Sequence, residues 1–189
     1  MKIKIFIDQG HNPAGVNAGA EGFGLKEQEI TYNVGIYLKD MLNKNPNFKS
    51  KVSRKTPDET LGVNNSDSLR IRVDMANNWP ADYFISIHAN ANINPKINGA
   101  EIYIFEEYSK AFYLAEDVLN SIIKVVEISD NEVRMNPSLY VLRKTTMPAI
   151  LIELGYLTNE LDAVKLRNDQ HDFAIGIYRG LLNYFGLET

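Results

Sequence analysis

The stretch Phe84-Ile85-Ser86-Ile87-His88-Ala89-Asn90 decides the fold class, because a run of β-forming residues ends there in an imidazole and an amide. Aromatic and β-branched residues favour a buried strand, and the change to polar residues after Ile87 marks its end. The carboxyl end of a strand is where α/β sheets usually bind ligands. The pattern therefore predicts that His88 is a metal ligand or an acid–base group at the edge of a sheet.

Two further apolar runs end in residues of the same chemical kind. Ile3-Lys4-Ile5-Phe6-Ile7 is followed by Asp8-Gln9-Gly10-His11, and Ala149-Ile150-Leu151-Ile152 is followed by Glu153. Since the carboxyl ends of parallel strands lie along one edge of a sheet, these three strand ends are expected to form one shared site.

Strand-like and helix-like segments alternate along the chain. Strands are predicted at 3–8, 51–55, 83–87, 100–105, 139–143 and 149–153, and helices at 29–43, 66–78, 109–126 and around 173–185. This alternation predicts an α/β fold, with a mostly parallel twisted sheet covered by helices on both faces. Without an internal repeat or a linker-like tract, residues 1–189 are expected to form a single domain.

Composition excludes several classes of protein. A net charge of −4 without a basic stripe argues against nucleic-acid binding. The chain has no Cys, so a metal would have to be bound by His, Asp or Glu. No apolar run is long enough to predict a transmembrane helix, and Met1-Lys2 leads directly into a strand, so no signal peptide is predicted in this chain.

Two imidazoles and one carboxylate would make a three-ligand zinc site with an open fourth position for water, whose pKa zinc lowers to about 7. A further carboxylate nearby could move the proton of that water to a leaving amine. The residues are far apart in sequence, so their spacing alone is weak evidence. A structural alternative is that each His is a hydrogen-bonded residue and that Glu153 pairs with Arg70 or Arg72.

The order of the motifs resembles the zinc-dependent N-acetylmuramoyl-L-alanine amidases of the amidase-3 family over nearly the whole chain. The motifs that carry the resemblance are Ile7-Asp8-Gln9-Gly10-His11, Gly19-Ala20, Glu27-Gln28-Glu29, Arg72 with Ala76-Asn77 ahead of Asp82, Ser86-Ile87-His88-Ala89-Asn90, and Ile152-Glu153-Leu154-Gly155-Tyr156-Leu157-Thr158-Asn159.

The resemblance implies a zinc hydrolase that cleaves the amide between N-acetylmuramic acid and L-alanine in peptidoglycan, at the bacterial cell wall. It implies that His11 and His88 bind Zn²⁺, that a Glu at the start of the first helix is the third ligand, and that Glu153 is the catalytic carboxylate. An autolysin, a sporulation enzyme and a phage endolysin all fit these motifs, and the sequence does not identify an activating partner protein.

The third ligand requires a choice between two residues. Counted from Glu29, the apolar pattern of the family falls on Asn33, Val34 and Ile36, and it fits less well when it is counted from Glu27. Glu29 is therefore the predicted ligand. The other carboxylate is expected only to interact favourably with the positive end of the helix dipole.

The chain departs from the family pattern beside the first His. Asn12-Pro13 stands where family members usually have Gly-Gly, and Gln9 replaces a common Pro, which is expected to alter the rim of the site and the peptide preference. The alternative function is a catalytically silent domain that binds wall fragments or a partner protein. That reading is disfavoured because all four site positions are filled. His171 has no strand before it and is expected to be a surface residue.

Overall fold

A six-stranded sheet forms the centre of the computed structural model, which describes residues 2–188. Its strands are β1 (Ile3–Gln9), β4 (Phe48–Val52), β5 (Tyr83–Asn90), β6 (Ala100–Ile104), β7 (Asp130–Met135) and β8 (Ala149–Tyr156), and a small hairpin consists of β2 (Glu21–Gly22) and β3 (Leu25–Lys26). The spatial order is β4-β1-β5-β8-β6-β7. All neighbours are parallel except β6 and β8, which are antiparallel.

Helices cover both faces of this sheet, which confirms the predicted fold class. They are α1 (Glu27–Lys44), α2 (Asn65–Asn78), α3 (Lys110–Val126), α4 (Tyr140–Lys144), α5 (Glu160–Asn168) and α6 (Gln170–Phe185). Since side chains alternate along a strand, the central strands β1, β5 and β8 contribute to two cores. The larger core lies under α1, α3 and α6, and the smaller one lies under α2 and α4. Within residues 2–188, no helix has the length and apolar character needed to cross a membrane.

The edge strand β7 and the short helix α4 differ from the sequence prediction. A strand was predicted at 139–143, but Val141 and Leu142 are both buried while the next two residues are exposed, which is a helical period and not a two-residue one. Strand β7 was not predicted because its sequence, DNEVRM, is polar and largely exposed. Strand β4 begins at Phe48 rather than at residue 51.

A buried guanidinium fastens helix α2 to the end of β1. Arg72 is 1% exposed, and its Nη1 donates to Asp8 Oδ1 and to the carbonyl of Gln9, both at 2.6 Å. Its Nη2 donates to the carbonyl of His11, also at 2.6 Å. Burial opposes ionisation of Asp8, but the charge and hydrogen bond of Arg72 outweigh it and lower the pKa of Asp8. Arg72 therefore holds the turn that carries His11.

We expect Arg72→Met to lower the free energy of unfolding by about 3–5 kcal/mol, because it leaves the Asp8 carboxylate buried without its partner. Arg70→Met is the matched control on the same helix. Arg70 is exposed and pairs only with Asp67 and Asp74 at the surface, so its replacement should change stability little. Urea denaturation of the two variants measures the difference. Equal losses would contradict the anchoring role of Arg72.

Candidate active site

Two imidazoles and one carboxylate converge at the carboxyl ends of β1 and β5. Oε1 of Glu27 lies 3.0 Å from Nε2 of His11 and 3.0 Å from Nδ1 of His88. One possible ligand atom from each of the three residues lies within 4.8 Å of the others. The site therefore presents two nitrogen donors and one oxygen donor to a common point. The predicted meeting of His11 and His88 at one site is confirmed.

Each of these side chains is positioned by its backbone. His88 is carried by β5, and Glu27 is the first residue of α1. His11 has a left-handed conformation with φ of 67°, which turns the chain back over the strand ends. Gly10 allows this close approach, because a Cβ at that position would lie 2.5 Å from Cε1 of His88.

Backbone amides and a carbonyl fix the orientation of the three side chains. The N–H of Ala89 donates to Oε1 of Glu27 at 3.1 Å, and the N–H of Ala20 donates to Oε2 at 2.9 Å. Nδ1 of His11 lies 3.2 Å from the carbonyl oxygen of Asn17. A proton on Nδ1 satisfies that carbonyl, and Nε2 would then offer its lone pair to a metal ion bound at the centre of the group.

Glu27, and not Glu29, lies in this group, which corrects the choice made from the sequence. The helix begins two residues earlier than predicted, and two residues correspond to a rotation of about 200° around a helix axis. Glu27 is consequently buried against the strand ends, while Glu29 is exposed. The apolar pattern favoured the wrong residue because Val34 occupies an apolar position whether the pattern is counted from Glu27 or from Glu29. Burial opposes the charge of Glu27, but hydrogen bonds from His11 and His88 outweigh it and lower the pKa of Glu27.

Glu153 lies beside the group on β8, directly opposite His88 in the register of β5 and β8. Its Oε2 is buried and has no hydrogen-bond partner among the described residues. Burial, together with the charges of Glu27 and Glu101, raises the pKa of Glu153 well above its ordinary value. The alternative that Glu153 pairs with Arg70 or Arg72 is wrong, since both arginines bind aspartates.

Glu101 is a site residue that the sequence motifs do not identify. It is 0% exposed and lies opposite Glu153 in the antiparallel pair of β6 and β8. Its Oε1 accepts hydrogen bonds from Nδ2 of Asn90 and from the hydroxyl of Tyr156, each at 2.8 Å. An acidic residue within a strand of apolar neighbours was the available signal. His171 is exposed at the start of α6, where it stacks edge-on against Tyr37.

The arrangement combines a set of metal donors with Glu153, a carboxyl group whose pKa is raised by burial. The donors are nitrogen and oxygen atoms, a combination typical of zinc sites in hydrolases. A carboxyl group with a raised pKa can both accept and donate a proton near neutral pH. Together these features are suited to the hydrolysis of an amide.

Comparison with known proteins gives the family. Residues 5–183 match the family model described as N-acetylmuramoyl-L-alanine amidase. The N-acetylmuramoyl-L-alanine amidase CwlM of Bacillus licheniformis is 37% identical, over 98% of this chain and 70% of the relative. The sporulation-specific N-acetylmuramoyl-L-alanine amidase of Bacillus subtilis is 32% identical, over 98% of this chain and 69% of the relative.

Solved structures agree with this result. The crystal structure of an N-acetylmuramoyl-L-alanine amidase from Clostridium difficile 630 has a TM-score of 0.86 at 30% identity, and the match covers 100% of this chain and 99% of that one. The catalytic domain of the amidase CwlV from Bacillus (Paenibacillus) polymyxa var. colistinus has the same TM-score and identity, with 100% of both chains covered. The chain therefore belongs to the Amidase_3 family of N-acetylmuramoyl-L-alanine amidases.

Proposed function

We propose that this chain is a zinc-dependent amidase that cleaves the bond between N-acetylmuramic acid and L-alanine in the peptidoglycan of the bacterial cell wall. The observation that carries the proposal is the convergence of His11, Glu27 and His88 beside Glu153, whose Oε2 is buried, in a chain of this family. The products are a lactyl carboxylate on the sugar and a free α-amine on L-alanine.

The three donors fit a zinc ion. Bond lengths of about 2.0–2.2 Å and tetrahedral angles place zinc ligand atoms about 3.3 Å apart. The two distances of 3.0 Å around Oε1 of Glu27 need only a small expansion to reach that value. Zinc bound by three protein ligands supplies Lewis acidity, which polarises a carbonyl group and acidifies water.

Glu153 provides the proton transfers in the proposed reaction. Hydrolysis requires a base that removes a proton from the attacking water and an acid that protonates the departing nitrogen of L-alanine. One carboxyl group can serve both steps in succession. Burial beside Glu27 and Glu101 raises the pKa of Glu153, which brings it closer to the operating pH and makes the protonated form a competent donor.

The pKa values of Glu27 and Asp8 are lowered while that of Glu153 is raised, and this difference separates their roles in the proposed mechanism. Hydrogen bonds from two imidazoles lower the pKa of Glu27 against the effect of its burial, so its carboxylate is available as a ligand. Asp8 forms an ion pair with Arg72, which lowers the pKa of Asp8 and makes it unsuitable for proton transfer. Glu153 is left as the carboxyl group whose protonation can change during a catalytic cycle.

The first prediction for this site concerns the metal. Purified protein should contain about one zinc per chain, and Glu27→Ala should lose most of it because one of three ligands is removed. Glu29→Ala is the matched control from the same turn of α1, and it should keep both zinc and activity since Glu29 is exposed. Elemental analysis of the three proteins decides the matter. Zinc lost from the Glu29 variant and kept by the Glu27 variant would reverse the assignment.

The second prediction separates Glu153 from the ligands. Glu153→Gln should fold and keep its zinc, but it should hydrolyse peptidoglycan about 10²–10⁴ times more slowly, because glutamine cannot transfer a proton. Muropeptide analysis gives the rate of release of the L-alanine amine. Cleavage at near wild-type rate would remove Glu153 from the mechanism, and loss of zinc would make it a ligand.

The same analysis tests the proposed function as a whole. Zinc-loaded wild-type protein should release a free L-alanine amine from purified peptidoglycan and should leave the stem peptide intact. Trimmed stems would indicate a peptidase. If zinc-loaded protein bound peptidoglycan but released no amine, the chain would instead be a non-catalytic wall-binding domain.

A further inference from the structure

Arg134 carries a positive charge on the sheet face that holds Glu153 and Glu101. It lies on β7, opposite Tyr103 of β6, and its side chain is 51% exposed. Its Nε donates to the carbonyl of Asn131 at 3.0 Å, and its Nη1 lies 3.2 Å from Oε2 of Glu101. The side chain of Arg134 is therefore half-exposed, and its Nε and Nη1 are held in place by neighbouring residues.

The register of the sheet sets the distance of this charge from the proposed metal centre. His88, Glu153 and Glu101 are partners across β5, β8 and β6. Arg134 lies opposite Tyr103, two residues along β6 from Glu101, and its side chain reaches back to Glu101. Neighbouring strands lie about 4.8 Å apart, so β7 lies about 10 Å from β8. An extended peptide advances about 3.3 Å per residue. The guanidinium is thus within the reach of the first few residues of a peptide that is bound with its first amide at Glu153.

Glu101 contacts the guanidinium of Arg134 but leaves several of the guanidinium's N–H donors unused. Oε1 of Glu101 is already occupied by Asn90 and Tyr156, and the buried Oε2 contacts only one nitrogen of Arg134. A guanidinium has five N–H donors in a planar fork. In Arg134, Nε donates a hydrogen bond to the carbonyl of Asn131, whereas Nη2 has no acceptor among the described residues. The remaining N–H donors of the guanidinium are exposed, and their spacing matches the two oxygens of a carboxylate.

The charge on this face makes such a cation useful. Glu101 and Glu153 are partners on the neighbouring strands β6 and β8, and the buried carboxyl group of Glu101 disfavours the approach of an anionic peptide. Stem peptides of peptidoglycan carry free carboxylates, both on the second residue, which is linked through its side chain, and at the C-terminus. A cation beside Glu101 offsets that effect.

We propose that Arg134 binds a free carboxylate of the stem peptide and is thereby a specificity-determining residue of this amidase. The inference rests on the proposed function. Glu101 acts as a positioning residue that fixes the guanidinium, and the carboxylate is bound through the exposed edge of the fork. The second-residue α-carboxylate and the C-terminal carboxylate are the two possible sources, and substrates that are amidated at one position or the other distinguish them.

The test uses zinc-loaded enzyme and three synthetic muramyl peptides: one with both carboxylates free, one amidated on the second residue, and one amidated at the C-terminus. Wild-type protein should have a kcat/KM about 10-fold lower on one of the amidated substrates, mainly through KM, because one charge-assisted bidentate contact is lost. In Arg134→Met this preference should disappear, and Arg134→Lys should retain part of it.

Arg143→Met is the matched control, since Arg143 is an exposed arginine on α4 that donates to the carbonyl of Ser138. It should keep the wild-type preference. Because the compared substrates are hydrolysed by the same variant, any effect of Arg134 on Glu101 and Glu153 cancels in the ratio. If wild-type protein hydrolysed all three substrates equally, or if Arg134→Met kept the preference, the inference would be overturned. If wild-type protein hydrolysed none of them, the proposed function itself would be overturned.

Discussion

The register between β5, β8 and β6 is the constraint on which the site depends. Main-chain hydrogen bonds place His88, Glu153 and Glu101 side by side on one face of the sheet. A shift of one residue in any of these strands would turn its side chains to the opposite face. That register is fixed by the alternating isoleucines of β5 and β8, which fill the core on the other face. The packing of an apolar core therefore determines the geometry of a polar site.

The pKa values of Asp8, Glu27 and Glu153 shift in different directions because their partners differ. Asp8 is paired with a buried guanidinium, Glu27 is held by two imidazoles and two backbone amides, and Glu153 has no such partner on its buried oxygen. The direction of each pKa follows from these contacts. Residues of nearly the same chemistry thus divide into a structural ion, a candidate ligand and a candidate proton carrier.

The sequence was sufficient to predict the strand ends that form the site, since the change from apolar to polar residues at His88, His11 and Glu153 is visible without coordinates. The sequence was not sufficient to choose Glu27 over Glu29 as the site residue. The two glutamates are two residues apart, so which one faces the strand ends depends on where α1 begins, and the sequence left that first residue ambiguous. Strand β7 and Glu101 were missed for a related reason. An exposed edge strand has little apolar pattern, and the role of a buried acid depends on its neighbours in space.

The residues of the site are contributed by widely separated parts of the chain, with His11 near one end and Glu153 near the other. A centre assembled from such distant segments has high contact order, which delays its formation until the central strands have paired. An incomplete or partly unfolded chain lacks the combination of ligands and proton carrier, even though it contains some of the residues. Hydrolytic capacity is in this way coupled to the completion of folding.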